Sequence, residues 1–456
     1  MNLYNTATKQ KEEFKPLHDK KVGIYSCGPT VYWNQHIGHM YAYVQWDMLV
    51  RFLRYMGFDV KWVMNITDVG HLVSDSDEGE DKMEKGAKRE GLSVWEIARK
   101  YEKQFLESLN LLNISSPDVV PRATEHIKEQ IDLAKRIEDN GFAYKTKTGL
   151  VFDTQKFSDY SKFANLKLEE MESGFRVEVD KEKKNPWDFL LWVTNQPQHI
   201  MKWNSPWGEG FPGWHIECTA MSTKYLGEEF DIHTGGIEHI GVHHTNEIAQ
   251  AYGAFGHQTA KYWIHNAWLT YEGVKMSKSL GNIFLVTDLI EKGFDPLALR
   301  YLALSSSYHK GLDFTFKSLE SAQTAFFRLK ETVSELPEEG SINEQYKRQF
   351  IEKLEDDLMV PEAMAIVWKL VKDSSVGPAD KKATLIDFDK VLGLNLDVNF
   401  EKDKNIPEDV LQLAKERNKM RMEKNWAESD RLRRLILEKG YMVEDLKDDC
   451  KIRKIK

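Results

Sequence analysis

Residues 21–67 have the sequence KVGIYSCGPTVYWNQHIGHMYAYVQWDMLVRFLRYMGFDVKWVMNIT, and this stretch decides the fold. Its first segment, Lys21–Cys27, alternates in polarity and predicts a strand. From about Gly38 to Met56 the apolar residues recur at helical spacing and predict a helix. Asp59–Thr67 predicts a second strand. A strand, a helix and a strand with short connections form a βαβ unit, which requires a parallel sheet.

A second group of the same kind lies later in the chain. Glu229–Ile232 and Tyr262–Thr270 predict strands, and His243–Ala254 between them predicts a helix. Together the two groups predict an α/β fold, a doubly wound, Rossmann-like domain with a parallel sheet that is split by an insertion. Ligands of such folds bind at the carboxyl ends of the strands.

The chain has 456 residues, of which 41% are hydrophobic, so several domains are expected. Helical patterning after about Ser318 predicts an α-helical C-terminal region. The expected divisions are residues 1–120 for the first half of the Rossmann-like domain, 121–208 for the inserted domain, 209–317 for the second half, 318–400 for a helical bundle and 401–456 for a C-terminal region.

Composition restricts the class of protein. No stretch of about 18 apolar residues occurs, and Met1–Lys20 lacks the apolar core of a secretory signal, so we expect a cytoplasmic protein without a membrane partner. The three cysteines are too few for a disulfide framework, which leaves metal binding, catalysis or burial. The net charge of −9 argues weakly against nucleic-acid binding, because a local basic surface can still hold phosphates. We expect a monomer.

The segment His36-Ile37-Gly38-His39 lies where the first strand and loop lead into the predicted helix. The two histidines share a face of the first turn, and Gly38 lets a flat base approach the backbone. The positive end of the helix dipole adds to a site that suits ATP. A surface turn with two histidines is the alternative.

The second motif is Lys275-Met276-Ser277-Lys278-Ser279, which follows a predicted strand and a turn. Two lysines three residues apart on a loop can neutralise a triphosphate and its leaving pyrophosphate. An ordinary basic loop is the alternative for this motif alone. The two motifs together, in this order, resemble the HIGH and KMSKS signature of class I aminoacyl-tRNA synthetases.

Four further residues form a candidate metal set. His243 and Glu247 are four apart on a predicted helix and point the same way, and His244 is a further candidate. Cys27 ends the first strand, and Cys218 lies in a later segment. Two thiolates, an imidazole and a carboxylate suit tetrahedral zinc. Spacing alone leaves the alternative of two buried cysteines and a capped helix.

Several segments are similar to the cysteinyl-tRNA synthetase family, and the similarity spans nearly the whole chain. They are Tyr25–Tyr32, Asn65–Asp68, Asn185–Asp188, Gly213–Ser222, His243–Gln250 and Lys275–Asn282. The resemblance implies zinc ligands at Cys27, Cys218, His243 and Glu247, and a cysteine pocket at Cys27, Thr67 and Trp214. It implies catalytic roles for His36, His39, Lys275 and Lys278, and ATP binding by His36, Gly38, His39 and Lys278.

The implied activity is ATP-dependent ligation of L-cysteine to tRNA(Cys) through a cysteinyl-adenylate. One Zn²⁺ per chain would select the substrate thiol, because zinc prefers soft sulfur ligands to a serine hydroxyl. Mg²⁺ is expected to accompany ATP. No editing domain is expected, because the metal separates two nearly isosteric amino acids that a simple pocket discriminates poorly.

The C-terminal region carries a basic stretch at Lys415–Lys439, with Trp426 inside it, and Lys451–Lys456 is basic again. We interpret this stretch as a contact for the anticodon end of tRNA, the alternative being a solvated charged helix face. Two other functions stay open. One is a cysteine ligase that acts on a small amino-sugar acceptor, and the other is a non-catalytic paralogue that binds RNA or cysteine.

The chain departs from the family pattern in two places. Val69-Gly70-His71-Leu72, followed by the acidic run Ser74–Asp81, replaces the usual acidic residues and lysine. Residues 234–242, TGGIEHIGV, replace a Gly-rich Asp-Leu-Phe-Pro stretch, with Glu238 at the usual Asp. His233 and His239 are therefore extra candidate ligands.

Overall fold

The computed structural model describes residues 1–71, 81–166, 182–277, 280–397, 406–445 and 450–454. Within these residues the strands are β1 (Asn2–Asn5), β2 (Gln10–Glu13), β3 (Lys21–Ser26), β4 (Asp59–Met64), β5 (Ala143–Lys145), β6 (Gly149–Phe152), β7 (Phe189–Thr194), β8 (Gly210–Pro212), β9 (Phe230–Gly236), β10 (Ala260–Asn266), β11 (Leu269–Tyr271), β12 (Val274–Lys275), β13 (Leu312–Phe314), β14 (Tyr441–Asp445) and β15 (Cys450–Lys454).

The α-helices of the same residues alternate with these strands in the first two thirds of the chain and dominate the last third. They are α1 (Ile37–Tyr55), α2 (Lys82–Glu90), α3 (Val94–Leu111), α4 (Ile127–Asp139), α5 (Trp214–Leu226), α6 (Thr245–Phe255), α7 (Val286–Glu291), α8 (Pro296–Ala303), α9 (Phe316–Glu335), α10 (Glu344–Glu355), α11 (Val360–Lys372), α12 (Pro378–Leu392), α13 (Glu408–Met422) and α14 (Trp426–Glu438).

The predicted parallel sheet is confirmed. Its strand order is β10-β9-β3-β4, and all three pairings are parallel. Alternate residues of each strand point to opposite faces. Val22 and Ile24 belong to one hydrophobic cluster with helix α1, whereas Tyr25 and Val63 belong to another with residues of α5 and α6. Helices therefore cover both faces, which makes the domain doubly wound.

Several predicted strands differ in extent. The strand predicted at Asp59–Thr67 ends at Met64, and the one predicted at Glu229–Ile232 continues to Gly236. Tyr262–Thr270 is two strands, because β10 ends at Asn266 and β11 begins at Leu269. Between them the backbone N–H of Ala267 donates to Tyr308 rather than to the parallel sheet. Strand β11 then pairs with β12 and β13, so the chain changes sheets just before the second motif.

The insertion is more regular than its sequence pattern indicates. Strands β5, β6, β7 and β8 form an antiparallel sheet in that order, and α4 packs against it. The last strand lies just beyond the expected boundary at residue 208. Leu191 and Trp192 of β7 share a hydrophobic cluster with Ile216 of α5, so the insertion is packed against the domain it interrupts. The expected domain divisions stay a prediction.

The C-terminal region is helical as predicted, and residues 406–438 contain two helices with a sharp break between them. Helix α13 ends at Met422, Lys424 has a left-handed φ of 59°, and Asn425 caps α14. Strands β14 and β15 form an antiparallel hairpin that the sequence did not predict. Among the residues described, no helix combines the length and apolar character that a membrane crossing needs.

Arg300 forms a buried ion pair within the sheet domain and also bonds to the helical region. The guanidinium of Arg300 on α8 donates to Asp47 of α1 at 2.6 Å, and both side chains are fully buried. The same guanidinium donates to the carbonyls of Leu392 at 2.7 Å and Leu112 at 3.1 Å. Burial opposes ionisation of Asp47, but the charges of Arg300 and Arg51 outweigh it and hold the pKa of Asp47 below its ordinary value.

We therefore expect Arg300→Met to lower the free energy of unfolding by about 3 kcal/mol, because it removes one of the two arginines that pair with the buried Asp47 carboxylate in the described residues. Urea denaturation followed by circular dichroism measures the change. Arg99→Met, on the exposed face of α3, is the matched control and is expected to stay within about 0.5 kcal/mol of wild type. Equal losses in the two variants would contradict the role given to Arg300.

Candidate active site

A cavity of about 580 Å³ opens at the carboxyl ends of β3, β4 and β9. This is where ligands bind in doubly wound sheets. The predicted site residues that line it are Cys27, His36, Gly38, His39, Thr67, Trp214, Cys218, His243 and Lys275. Glu247 lies behind this lining, and Lys278 lies outside the described residues.

The four predicted metal ligands meet in the floor of the cavity. One donor atom each from Cys27, Cys218, His243 and Glu247 lies within 4.8 Å of the other three, and all four residues are buried. Cys27 directly follows β3, Cys218 lies on α5 one turn after Trp214, and Glu247 lies in the first turn of α6. Three distant parts of the sequence thus supply one compact donor set.

The local structure around His243 differs from the prediction. His243 lies in a π-helical turn, Ile240–His244, that precedes α6 rather than in the α-helix itself. The His243 and Glu247 side chains still point the same way, with His243 Nε2 3.1 Å from Glu247 Oε1. The wider turn also brings His244 Nε2 to 3.2 Å from Cys27 Sγ.

The residues of the cluster shift one another's ionisation in different directions. Burial raises the pKa of Cys27, whereas a hydrogen bond from Cys27 lowers the pKa of Cys218 to about 7. Burial opposes charge on His243 and Glu247, but each stabilises the other. The charge of Glu247 raises the pKa of His243 to about 10, and the charges of His233 and His243 lower the pKa of Glu247 to about 2.

The donor set fits a metal ion. Tetrahedral zinc with sulfur and nitrogen ligands requires donor separations of about 3.3–3.8 Å, which the cluster can supply with small movements. Glu247 Oε1 is buried and accepts no hydrogen bond from the described residues, although His243 Nε2 is close. A cation beside that oxygen would satisfy it, which an apolar floor could not do.

A second donor set overlaps the first. Cys27, His233, His244 and Glu247 also place one donor atom each within 4.8 Å of one another. His233 Nε2 lies 3.0 Å from Glu247 Oε2, on the side of the carboxylate away from His243. His239, the other extra candidate, lines the cavity but belongs to neither set found among the described residues.

Glycine and asparagine fix the loop that carries Cys27. The Gly28 N–H donates to Asn65 Oδ1 at 2.8 Å, and a Cβ on Gly28 would lie 1.5 Å from the Asn65 carbonyl oxygen. The backbones of Thr67 and Val31 pair alongside. Only glycine allows the backbone at position 28 to approach Asn65 this closely. The contact fixes the loop at Cys27 against the segment that follows β4.

Thr67 lines the cavity, but its hydroxyl is held from behind by two residues that the sequence analysis did not assign. The Thr67 hydroxyl donates to Glu217 at 3.0 Å, and His71 lies 2.8 Å from the other oxygen of Glu217. Glu217 is fully buried. Its position one residue before Cys218 gives no signal of this contact, because two neighbouring helical residues face different surroundings.

The HIGH segment caps helix α1 with its own histidines. His36 Nδ1 accepts from the Gly38 N–H at 3.1 Å, and His39 Nδ1 accepts from the His36 N–H at 3.2 Å. In the neutral rings these bonds assign the remaining proton to Nε2, the atom that can donate to a phosphate oxygen. A Cβ on Gly38 would lie 2.8 Å from the His36 ring, so glycine is required here.

The second motif begins on strand β12. Lys275 Nζ lies 4.3 Å above the centre of the Trp268 ring, and the Trp268 indole N–H donates to Glu238 at 2.7 Å. Asn282 accepts from the Ser277 N–H at 2.8 Å and donates to the Lys275 carbonyl at 3.3 Å. Trp268 and Glu238 therefore line the cavity beside Lys275, roles that the sequence analysis did not assign.

Comparisons with known proteins agree with this arrangement. A family model described as the catalytic domain of class I (C) tRNA synthetases matches residues 13–324. The chain is 46% identical to cysteine--tRNA ligase 1 of Burkholderia lata, with 97% of this chain and 94% of the relative covered. It is 42% identical to cysteine--tRNA ligase of Treponema denticola and 41% identical to that of Thermus thermophilus, each with 98% of both chains covered.

Among solved structures, Mycobacterium tuberculosis methionyl-tRNA synthetase in complex with methionyl-adenylate matches with a TM-score of 0.55. The match covers 82% of this chain and 90% of that one at 16% identity, so it concerns the fold alone. The fold and the two motifs are those of a class I tRNA synthetase. Within that class, the chain belongs to the cysteine--tRNA ligase family.

We expect Cys218→Ser to lower the metal bound at the cavity floor by about tenfold or more, because a serine hydroxyl stays protonated where a thiolate binds. Elemental analysis of the purified, dialysed protein measures the metal per chain. Cys450→Ser changes the partly buried cysteine of β15 and is the matched control, with unchanged metal expected. Equal metal contents in the two variants would exclude Cys218 as a ligand.

Proposed function

We propose that this protein ligates L-cysteine to tRNA(Cys) with ATP, through a cysteinyl-adenylate. The observation that carries the proposal is one cavity whose floor holds the donors of the candidate metal site and whose mouth holds the HIGH histidines and Lys275. Such a cavity can bind a thiol at one end and a triphosphate at the other. The relatives named as cysteine--tRNA ligases over nearly their full length support the same substrates.

We propose Zn²⁺ as the metal. When bound, it supplies a soft acceptor that a cysteine thiolate can reach and that a serine hydroxyl binds poorly. Cys27, Cys218, His243 and Glu247 would hold it, and two sulfur donors favour zinc over the hard cations Mg²⁺ and Ca²⁺. The overlapping set with His233 and His244 offers the ion an alternative position within the same floor.

The amino-acid pocket lies directly above this floor. The Trp214 ring lies 4.4 Å from the His243 ring, so the indole forms a wall next to the proposed ligand. Thr67 forms part of the opposite lining, and its hydroxyl is oriented by Glu217. A small side chain fits beside such an aromatic wall, which excludes water from the thiol.

The chain's own groups would promote adenylate formation by charge and position. The Nε2 atoms of His36 and His39 and the ammonium of Lys275 would donate to phosphate oxygens as charge moves to the leaving pyrophosphate. Gly38 leaves room for the nucleotide, and Lys278 is proposed to close over the phosphates. The substrate carboxylate attacks the α-phosphate, so no enzyme nucleophile is required. Mg²⁺ is proposed to enter with ATP.

We propose that the C-terminal region contacts tRNA, but not through all of its basic residues. Arg417 is buried and pairs with Asp445, and Arg433 donates to the same carboxylate at 2.9 Å, so these two stabilise the small domain. Lys415 and Lys419 are exposed one turn apart on α13. A basic surface on a separately packed module favours tRNA over a small amino-sugar acceptor, because a small acceptor needs no such module.

The divisions at residues 120, 208, 317 and 400 are proposed to separate the two catalytic halves, the insertion, the bundle and this tRNA-binding region. We also propose that the protein acts as a monomer in the cytoplasm. All groups proposed for adenylate formation come from one chain, so the chemistry requires no second copy.

Two assays on the same preparation test the proposal. Cysteine-dependent ATP–pyrophosphate exchange reports the adenylate, and charging of purified tRNA(Cys) reports transfer. We expect both activities in wild-type protein. Absence of exchange in metal-loaded protein would contradict the ligase, and exchange without charging would favour the small-molecule acceptor.

The double substitution of Lys415 and Lys419 by alanine is expected to raise the KM for tRNA about fivefold and to lower the slope of log affinity against log salt by about two. Exchange is expected to stay within about twofold of wild type, because neither residue belongs to the cavity lining. The matched control replaces Lys20 and Lys21 by alanine. Both are exposed at the amino end of β3, at the edge of the sheet opposite the cavity. Equal effects in both double variants would refute the proposed tRNA surface.

A further inference from the structure

A second group of metal-binding side chains lies outside the cavity. Donor atoms of Asp81, Glu84 and His199 lie within 4.8 Å of one another. Asp81 precedes the first residue of α2 and Glu84 lies in its first turn, whereas His199 belongs to the segment between β7 and β8 of the insertion. The cluster therefore joins two parts of the chain that are more than one hundred residues apart.

Among the residues that the structure describes, a backbone N–H orients one oxygen of each carboxylate. Asp81 Oδ1 accepts from the Glu84 N–H at 2.8 Å, and Glu84 Oε1 accepts from the Ile200 N–H at 2.9 Å. Asp81 Oδ2 is buried and accepts no hydrogen bond from the described residues, although it lies 2.8 Å from His199 Nε2. A buried carboxylate oxygen without a hydrogen bond is destabilised unless a positive charge lies beside it.

The imidazole of His199 is held in place by stacking. Its ring lies 3.7 Å from the Phe211 ring at an angle of 12°, and its exposed fraction is 6%. Its Nε2 faces two oxygens at once, Asp81 Oδ2 at 2.8 Å and the Gly70 carbonyl at 3.1 Å. One N–H cannot be directed well at both oxygens, whereas a cation between these atoms would bind all three.

Gly70 permits this convergence. A Cβ at that position would lie 2.0 Å from Asp81 Oδ2, so any other residue would push the carboxylate away. Gly70 lies in Val69–Leu72, one of the two segments that depart from the family pattern. The departure therefore coincides with the cluster of Asp81, Glu84 and His199.

We propose that Asp81, Glu84, His199 and the Gly70 carbonyl form a second metal site that binds a divalent transition-metal ion such as Zn²⁺ or Mn²⁺. An imidazole with carboxylate and carbonyl oxygens suits these ions. Bonds of 2.0–2.2 Å at the right angles of an octahedral site place neighbouring ligands about 3 Å apart, which agrees with the separations of 2.8 and 3.1 Å around His199 Nε2. The proposal rests on this geometry and not on the proposed function.

The site would join the insertion to helix α2, which supports the cavity wall. Arg89, near the end of α2, lies 3.6 Å from the centre of the Trp33 ring and donates to the Tyr32 carbonyl at 3.4 Å. Trp33 and Tyr32 both line the cavity. A metal at the start of α2 would therefore fix the wall formed by these two residues, without touching the substrate.

Titration of the chelator-stripped, full-length protein with Co²⁺ tests the site. We expect wild type to bind two equivalents in equilibrium dialysis, of which only one produces thiolate-to-cobalt absorption. Cys218→Ser is expected to lose that absorption and keep the other equivalent. His199→Gln and Glu84→Gln are expected to keep the thiolate-to-cobalt absorption. They are expected to raise the dissociation constant of the second Co²⁺ ion by about tenfold or more.

Glu107→Gln, on the exposed face of α3, is the matched control for Glu84→Gln and is expected to bind both equivalents as wild type does. Circular dichroism verifies that each variant is folded, and if His199→Gln is not, the partly exposed Glu84 decides the result. A single equivalent in wild type would overturn the proposal, since His199 and Asp81 would then form only an ion pair. A second equivalent that survives Glu84→Gln unchanged would also overturn it.

Discussion

The structure depends on one buried carboxylate, Glu247, between two histidines. His233 approaches one of its oxygens at 3.0 Å and His243 approaches the other at 3.1 Å. A lone carboxylate in an apolar interior would be strongly destabilising, so the surrounding cations and polar groups are a condition for folding this region. The same condition places two thiols and an imidazole around a point that a metal ion can occupy.

The parallel sheet makes this convergence possible. Strand β3 delivers Cys27 and strand β9 delivers His233 at the same edge, because parallel strands end together. Helix α1 packs on the face of the sheet that carries Val22 and Ile24, and the start of α1 carries the HIGH histidines. One edge of one sheet therefore positions both ends of the cavity. Arg300 then joins α1 to the helical region, which links the cavity to the C-terminal half of the chain.

The sequence predicted the sheet well because its strands and helix α1 are long enough to show periodicity. It did not predict β5, β6 and β8, which have only three or four residues, or β7, which is a continuous apolar run without alternation. It also did not predict the five-residue π-helical turn before α6. The candidate ligands could not be grouped by spacing, because Cys27 and Cys218 meet only through the fold. Family resemblance supplied that grouping, and the structure brings the four residues together.

Other site residues could not be predicted from the sequence, each for a physical reason. Glu217 and His71 act from behind Thr67, and nothing in their sequence positions indicates that contact. Trp268 lies in the break between two strands that the pattern merges into one. Lys278 lies outside the described residues, so its role stays a prediction.

The central claim is that the metal in the cavity floor recognises the substrate thiol. X-ray absorption at the zinc edge of the His199→Gln protein, in which the cavity site is the expected zinc site, tests it most directly. Cys27 and Cys218 supply two sulfur neighbours. The account predicts a third sulfur neighbour when L-cysteine is added and no change when L-serine is added. Two sulfur neighbours in the presence of saturating L-cysteine would contradict it.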